Sequence, residues 1–319
     1  WYNRRMYTYG NVATRRRGLP RILFLILGGA SFLIFTFWLI RKPSNNIISP
    51  IPDEPKQAQS VVAAIFNKKK SPDELGRAIP KQVNNRWVNY SVFVEDYNSS
   101  FSLGLNDTVI YTAASVNKLP ILAALYYNAQ KGEIDLDRIV TIQEKDIQDY
   151  GTGSIRYDRP GATYSVKTLA KLMIQQSDNT AAYILANHIV GIEEIQKLVD
   201  SLGLTQTDMT NNKTSNRDVS ILMKKLYKRE VAGEAYTLEM LSFLKDTDFE
   251  NRLPALLPDS ATVYHKIGTE VGVLHDIGIV QDGSLVYYIG ILTTDVDNEE
   301  EAELIAAQIS KTVYDYLKQ

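Results

Sequence analysis

Val88, Tyr90, Val92 and Val94 place apolar side chains at every second position, the spacing of a strand with one buried face. The short run Val109 to Thr112 reads as a second strand pairing with it. From about 116 to 250 the spacing lengthens to that of helices, as in Leu169, Leu172 and Met173, and in Ile192, Ile195, Leu198 and Val199. Strands return at 261–267, 273–281 and 284–293, the last two joined through Asp282-Gly283, a strong hairpin signal. Beyond 298, Ala302, Ile305, Ala306, Ile309, Val313 and Tyr316 recur at helical spacing, and Glu299, Glu300 and Glu301 suit the positive end of that helix. The pattern predicts an α+β fold, an antiparallel sheet covered by terminal helices with an inserted all-helical lobe. A cleft between the lobes is the natural site.

The N-terminal region reads differently. Ile22 to Ile40 is a run of nineteen uncharged residues, and at about 1.5 Å of rise per residue it nearly matches a ~30 Å hydrocarbon core. It predicts a transmembrane helix rather than a cleaved signal, being longer than a usual h-region and lacking an A-x-A-like site after it. Arg4, Arg5, Arg15, Arg16, Arg17 and Arg21 precede the run, and Arg41, Lys42 and Lys56 follow it. This bias predicts a cytoplasmic basic tail at 1–21 and an outward-facing body. Residues 41–60, with Pro43, Pro50, Pro52 and Pro55, read as a tether, and 61–319 as the catalytic body.

Composition narrows the chemistry. The chain has no cysteine, which excludes a thiol nucleophile, disulfides and Cys-ligated metal. Three histidines, His188, His265 and His275, are poor provision for a metal site or a Ser-His-Asp relay; no metal and no cofactor are expected. Eight basic residues and no acidic ones fall in 1–42, leaving 27 of the 35 basic residues against all 37 acidic ones, a formal charge of −10 on the remainder. Such a body is repelled by nucleic acid.

Ser115-Val116-Asn117-Lys118 opens a predicted helix running to about Gln130, with Pro120 tolerable only near its start. Positions three apart share a helix face, so the lysine amine falls near the serine hydroxyl. A lysine sheltered from water and set among cations loses proton affinity and can act as a base. Alone, the motif serves equally as an N-cap followed by a surface lysine. Ser177-Asp178-Asn179 between two helical runs is, alone, a capping sequence. Lys266-Ile267-Gly268-Thr269 ends a strand, where Gly268 permits close backbone approach. Together, in this order and on these elements, the three form the signature of serine β-lactamases and penicillin-binding proteins.

Over 61–319 the chain thus resembles the class A β-lactamase and penicillin-binding protein superfamily. The resemblance implies Ser115 as acylated nucleophile and Lys118 as its base, with Ser177 relaying a proton to the leaving nitrogen. It implies that Asn179 binds the substrate's side-chain amide, and that Lys266 and Thr269 bind its carboxylate. The N–H groups of Ser115 and Thr269 would form the oxyanion hole, and Tyr150, before Gly151-Thr152-Gly153, resembles the aromatic wall of such clefts or is an ordinary loop tyrosine.

Two departures stand out. Ile267 replaces the usual Thr or Ser, although strand alternation turns it away from Lys266 and Gly268. The E-x-x-x-N segment, whose glutamate activates the deacylating water in class A enzymes, is missing after Leu202-Gly203-Leu204. Asp208 is the one carboxylate of that shortened loop, and it reads as a turn residue, with a substitute base as the alternative. His275-Asp276 reads as polar strand sequence rather than part of a triad with Ser115. With the run 22–40 holding the chain in the lipid bilayer of a bacterial plasma membrane, the resemblance implies a membrane-anchored hydrolase that opens β-lactams through an acyl-enzyme, and the missing glutamate implies slow deacylation. A D,D-peptidase or transpeptidase acting on D-Ala-D-Ala-type peptides, or a penicillin-binding sensor that stays acylated, are the alternatives.

Overall fold

The computed structural model describes residues 70–319. The expected tail 1–21, span 22–40 and linker 41–60, and the first residues of the catalytic body, 61–69, lie outside the described residues. Among the described residues, no helix is long and apolar enough to cross a membrane.

Helix α1 (Pro72–Val83) leads into strands β1 (Asn89–Asp96), β2 (Ser102–Leu105) and β3 (Ile110–Thr112). The middle of the chain runs through α2 (Lys118–Gln130), β4 (Ile139–Thr141), β5 (Thr163–Ser165), α3 (Val166–Gln175), α4 (Asn179–Ile184), α5 (Ile192–Ser201), β6 (Lys213–Ser215), α6 (Asn216–Tyr227) and α7 (Glu234–Phe243). Strands β7 (Thr262–Glu270), β8 (Val273–Asp282) and β9 (Leu285–Thr294) follow, and α8 (Glu299–Lys318) closes the chain. The two terminal helices start where capping chemistry places them. Ser71 accepts from the Asp73 N–H with Pro72 at the first helical position, and Asn298 accepts from the Glu301 N–H.

The main sheet has the order β2-β1-β9-β8-β7, antiparallel throughout. On one face Val92 and Val94 pack among Leu75, Ile79, Ile305 and Ile309 of the terminal helices. On the other, Phe93 joins the helical core around Leu119, Leu122 and Met173. Each such fully buried side chain stabilises the fold by about 1.5–3 kcal/mol. The predicted meander, terminal helices and helical insertion are all present. The expectation of a half-buried first strand is corrected: Val92, Phe93 and Val94 are all buried, because helices cover both faces of the sheet. The expected pairing of the 109–112 strand with β1 is also corrected, since β3 pairs with β6 through Tyr111 and Thr214. The partner of β1 on that side is β2, brought back by a turn in which Asp96 accepts from the Asn98 N–H and the Ser99 hydroxyl. β2 is only four residues long, too short for its alternation of Leu103 and Leu105 to stand out in the sequence.

Beneath the C-terminal meander lies a buried ion cluster. The His265 imidazole is fully buried, with Nδ1 2.9 Å from Asp276 and Nε2 3.2 Å from Glu250. Burial pushes its pKa down, but the Asp276 and Glu250 carboxylates outweigh this and raise it to about 9. Asp276 also accepts from the Leu253 N–H at 3.0 Å, so the pair ties β8 to the segment entering the site.

A histidine whose pKa rises on folding contributes stability that is complete below about 6.5 and lost as pH climbs through about 9. The stability gap between wild type and His265→Asn, measured by urea unfolding, is therefore expected to be widest near pH 6. It should narrow by roughly 3 kcal/mol by pH 9.5. A gap independent of pH would mean that the imidazole is buried neutral.

Candidate active site

Three segments converge between the sheet and the helical lobe. The first is a tight 3-10 turn, Ala114–Asn117, that carries Ser115 and continues directly into α2 at Lys118. Ala114 enters it with φ +48°, a left-handed conformation that costs a non-glycine residue of order 1 kcal/mol. Flanking hydrogen bonds hold the turn, from the Ala113 N–H to Asn212 O at 2.8 Å and from the Val116 N–H to Ala113 O at 3.0 Å. Gly268 of β7 lies directly against it. A Cβ there would sit 3.0 Å from Ala113 O and 3.3 Å from the Ala114 Cβ, so only glycine lets the strand pass this close without displacing its neighbours.

The second segment is the strap Ser177-Asp178-Asn179 between α3 and α4. Ser177 is buried with φ +54°, and Asp178 caps α4 by accepting from the Ala181 N–H at 2.8 Å. The other Asp178 oxygen accepts from the Ile155 N–H at 2.9 Å, which holds the strap to the loop ahead of it.

Lys118 and Lys266 meet at this strap. The Lys118 amine donates to Ser177 Oγ at 3.1 Å, to Asn179 Oδ1 at 2.8 Å and to Ser177 O. The Lys266 amine donates to the same Ser177 Oγ at 2.9 Å and to Ile267 O at 3.1 Å. All acceptors of the Lys118 amine in this cluster lie on the strap, and the Ser115 hydroxyl is not among them. Both amines are removed from water, and burial lowers both pKa values, that of Lys118 to about 7 against the pull of Asp178. Lys266 is pushed well below the ordinary lysine value by burial and by the charge of Lys118. Two ammonium groups on one hydroxyl repel each other, so the arrangement favours at least one neutral amine near neutral pH.

The third segment is the end of β7. The Thr269 hydroxyl accepts from Arg252 Nη2 at 2.9 Å, which leaves its own proton free to be donated into the exposed cleft edge. Arg252 is itself buried, held by Glu303 at 3.1 Å and by His275 O at 2.9 Å. The sequence offered no sign of this arginine, since Asn-Arg-Leu-Pro carries neither motif nor periodicity. Ile267 is buried, as are Lys266 and Gly268 on either side of it. Asn179 donates to Tyr150 O at 3.0 Å, which places the Tyr150 backbone at the site while its side chain is largely exposed.

The remaining candidates stand apart. The His275 Nδ1 accepts from the Thr293 N–H at 3.2 Å and its Nε2 lies 2.8 Å from Thr112 O, a geometry that suits a neutral imidazole. Burial lowers its pKa to about 4, and Asp276 pairs with His265 instead, so no triad forms. Asp208 is bound within its own turn, accepting from the Thr210 and Asn211 N–H groups, each at 2.9 Å, and from Asn211 Nδ2 at 2.8 Å. These bonds, the Asn211 amide foremost, hold its carboxyl below the usual range. Among the described residues, no cluster of histidine and carboxylate side chains is arranged to hold a metal ion.

Known proteins share this sequence pattern and fold. The beta-lactamase VEB-1 of Pseudomonas aeruginosa is 22% identical over 76% of this chain and 90% of its own length. A beta-lactamase of Bacteroides uniformis is 27% identical over 68% of this chain and 82% of its own length. Among solved structures, a mutant of PBP-A in an acyl-enzyme complex with penicillin G superposes with a TM-score of 0.72 at 27% identity, covering 77% of this chain and 97% of that one. The TLA-1 extended-spectrum beta-lactamase, at 24% identity over 78% of this chain and 100% of its own, matches the fold with a TM-score of 0.72. The model of the beta-lactamase enzyme family matches residues 56–317, and the chain belongs to that family.

Proposed function

We propose that this hydrolase of the β-lactamase type opens β-lactams by acylating Ser115 and releases the product slowly. The observation that carries the reading is the convergence of Lys118 and Lys266 on the single hydroxyl of Ser177. With Lys118 neutral, its amine takes the Ser115 proton as the serine oxygen attacks the lactam carbonyl. The carbonyl oxygen gathers negative charge, which on the family's pattern the N–H groups of Ser115 and Thr269 receive. Ser177 then passes a proton to the lactam nitrogen as the C–N bond breaks, and Lys266 replenishes or stabilises that hydroxyl. Thr269, oriented by Arg252, and Lys266 receive the substrate carboxylate, while Asn179 takes the side-chain amide and Tyr150 flanks it.

Hydrolysis of the ester needs a base for water, and Asp208 is committed to its own turn. Loss of a general base slows such a step by roughly two to four orders of magnitude. The same lack favours a second reading, a D,D-peptidase that passes its acyl group from a D-Ala-D-Ala-type peptide to an amine. Residues 22–40 complete the reading as a membrane anchor with the body outside a bacterial cell. Protease added to intact cells is expected to remove the body, and full protection would reverse the orientation.

The rate of acylation by fluorescent penicillin is expected to rise with pH through about 7, because the Lys118 amine accepts a proton only above its own pKa. Lys118→Ala should lower the plateau by roughly two to four orders of magnitude and remove that inflection. A flat profile in wild type would assign the base elsewhere. Nitrocefin should give a burst followed by slow turnover, unchanged in Asp208→Asn. Rapid turnover, or an acyl-enzyme trapped by that substitution, would show that the short loop has kept a hydrolytic base. Faster turnover of a D-Ala-D-Ala peptide than of nitrocefin would select the peptidase reading.

A further inference from the structure

The strap that holds the Lys118 amine is itself held from outside, by the loop from Tyr150 to Arg156. Tyr150 O accepts from Asn179 Nδ2 at 3.0 Å, Thr152 Oγ1 donates to Ser177 O at 3.0 Å, and the Asn179 N–H reaches Thr152 O at 3.3 Å. Gly151 and Gly153 have φ +70° and +110°, and a Cβ on either would collide with Asn179 or Asp178. The turn can press on the strap this closely because both positions lack side chains.

Arg156 closes the turn. Its Nη1 donates to Gly151 O at 2.6 Å, its guanidinium stacks 4.9 Å from the centre of the exposed Tyr157 ring, and Asp149 lies 3.8 Å from Nη2. Its Nε is buried without a partner. A side chain that leaves a buried donor unpaired is not placed for its own hydrogen bonding. What the placement secures is the carbonyl of Gly151, next to the carbonyl that orients Asn179. The Asn179 carboxamide is oriented at both ends, with Nδ2 on Tyr150 O and Oδ1 receiving Lys118. If the turn moves away, the amide loses the contact that keeps its oxygen toward the amine.

We propose that Arg156 is a positioning residue for acylation, holding the 150–153 turn against Asn179 and so fixing the Lys118 amine beside Ser177. This rests on the reading of Ser115 as the acylated nucleophile. Two opposite effects separate positioning from simple electrostatics. Deleting a nearby positive charge raises the pKa of a lysine, whereas depriving its ammonium of the Asn179 acceptor lowers it.

The test is the pH profile of penicillin acylation in wild type, Arg156→Ala, Arg156→Lys and Tyr157→Ala, with thermal melting of each. Arg156→Ala is expected to lower the plateau roughly 10- to 100-fold, the scale of a misplaced catalytic group, and to move the midpoint below that of wild type. Arg156→Lys, which keeps a donor for Gly151 O, should recover most of the rate. Tyr157→Ala removes an exposed ring, keeps the charge and should shift rate and midpoint in the same direction to a smaller extent. A wild-type rate and midpoint in either folded alanine variant overturns the proposal. So does a midpoint that rises in Arg156→Ala, or a loss of rate in Arg156→Lys equal to that in Arg156→Ala. A wild type that takes no label ends the nucleophile reading and the proposal together.

Discussion

Two lysine amines share one serine hydroxyl inside this protein, and much of the surrounding structure follows from making that possible. Lys118 and Lys266 approach Ser177 Oγ from α2 and β7, at 3.1 and 2.9 Å, with almost no access to water. Such a site is costly to fold. A lysine held at about 7 instead of 10.5 destabilises the fold by roughly 4 kcal/mol at neutral pH. The left-handed residues Ala114 and Ser177 add backbone strain at the same place. The two buried cores on either face of the sheet offset these terms. The return is a buried nitrogen of low proton affinity, in a protein without cysteine and with its histidines engaged elsewhere.

The remaining buried charges keep order around that pair. Arg252 takes Glu303 on one side and Thr269 on the other, so its charge is neutralised from behind while it orients the hydroxyl at the cleft edge. His265, next to Lys266 in sequence, and Asp276, across the ladder from Ile267, form a closed set with Glu250. Removing one member of such a set leaves an uncompensated buried charge, which costs several kcal/mol. The meander that carries Lys266 is therefore fixed electrostatically as well as by its backbone ladder.

Much of this was legible in the sequence, for physical reasons that differ by element. The meander announced itself through Asp282-Gly283 and through long apolar strands, and the terminal helix through its spacing and acidic first turn. Ser115, Lys118, Ser177, Asn179, Lys266, Gly268 and Thr269 were singled out because three short motifs fell on a helix start, an interhelical strap and a strand end, and the fold brings those three segments together. What escaped depends on tertiary contact. The three-residue strand β6 and the four-residue β2 are too short to show a period, and β3, read as a strand, gave no sign that its partner is β6. Arg252 carries no local signal, because its role comes from burial against residues far away in the chain, and Arg156 carries none because only the folded turn brings the Gly151 carbonyl to it. The Gly151-Thr152-Gly153 turn was visible as a turn, but its positive-φ glycines do not say which side chains they make room for.

The central claim is that this constellation makes Ser115 a nucleophile toward penicillin. The most direct measurement is the intact mass of the whole chain followed over time after penicillin is added, with Ser115→Ala alongside. Ring opening expels no fragment, so the account predicts a single adduct of the full penicillin mass that forms quickly in wild type, decays slowly and is missing from Ser115→Ala. An adduct of that mass in Ser115→Ala, or none in wild type, would contradict it.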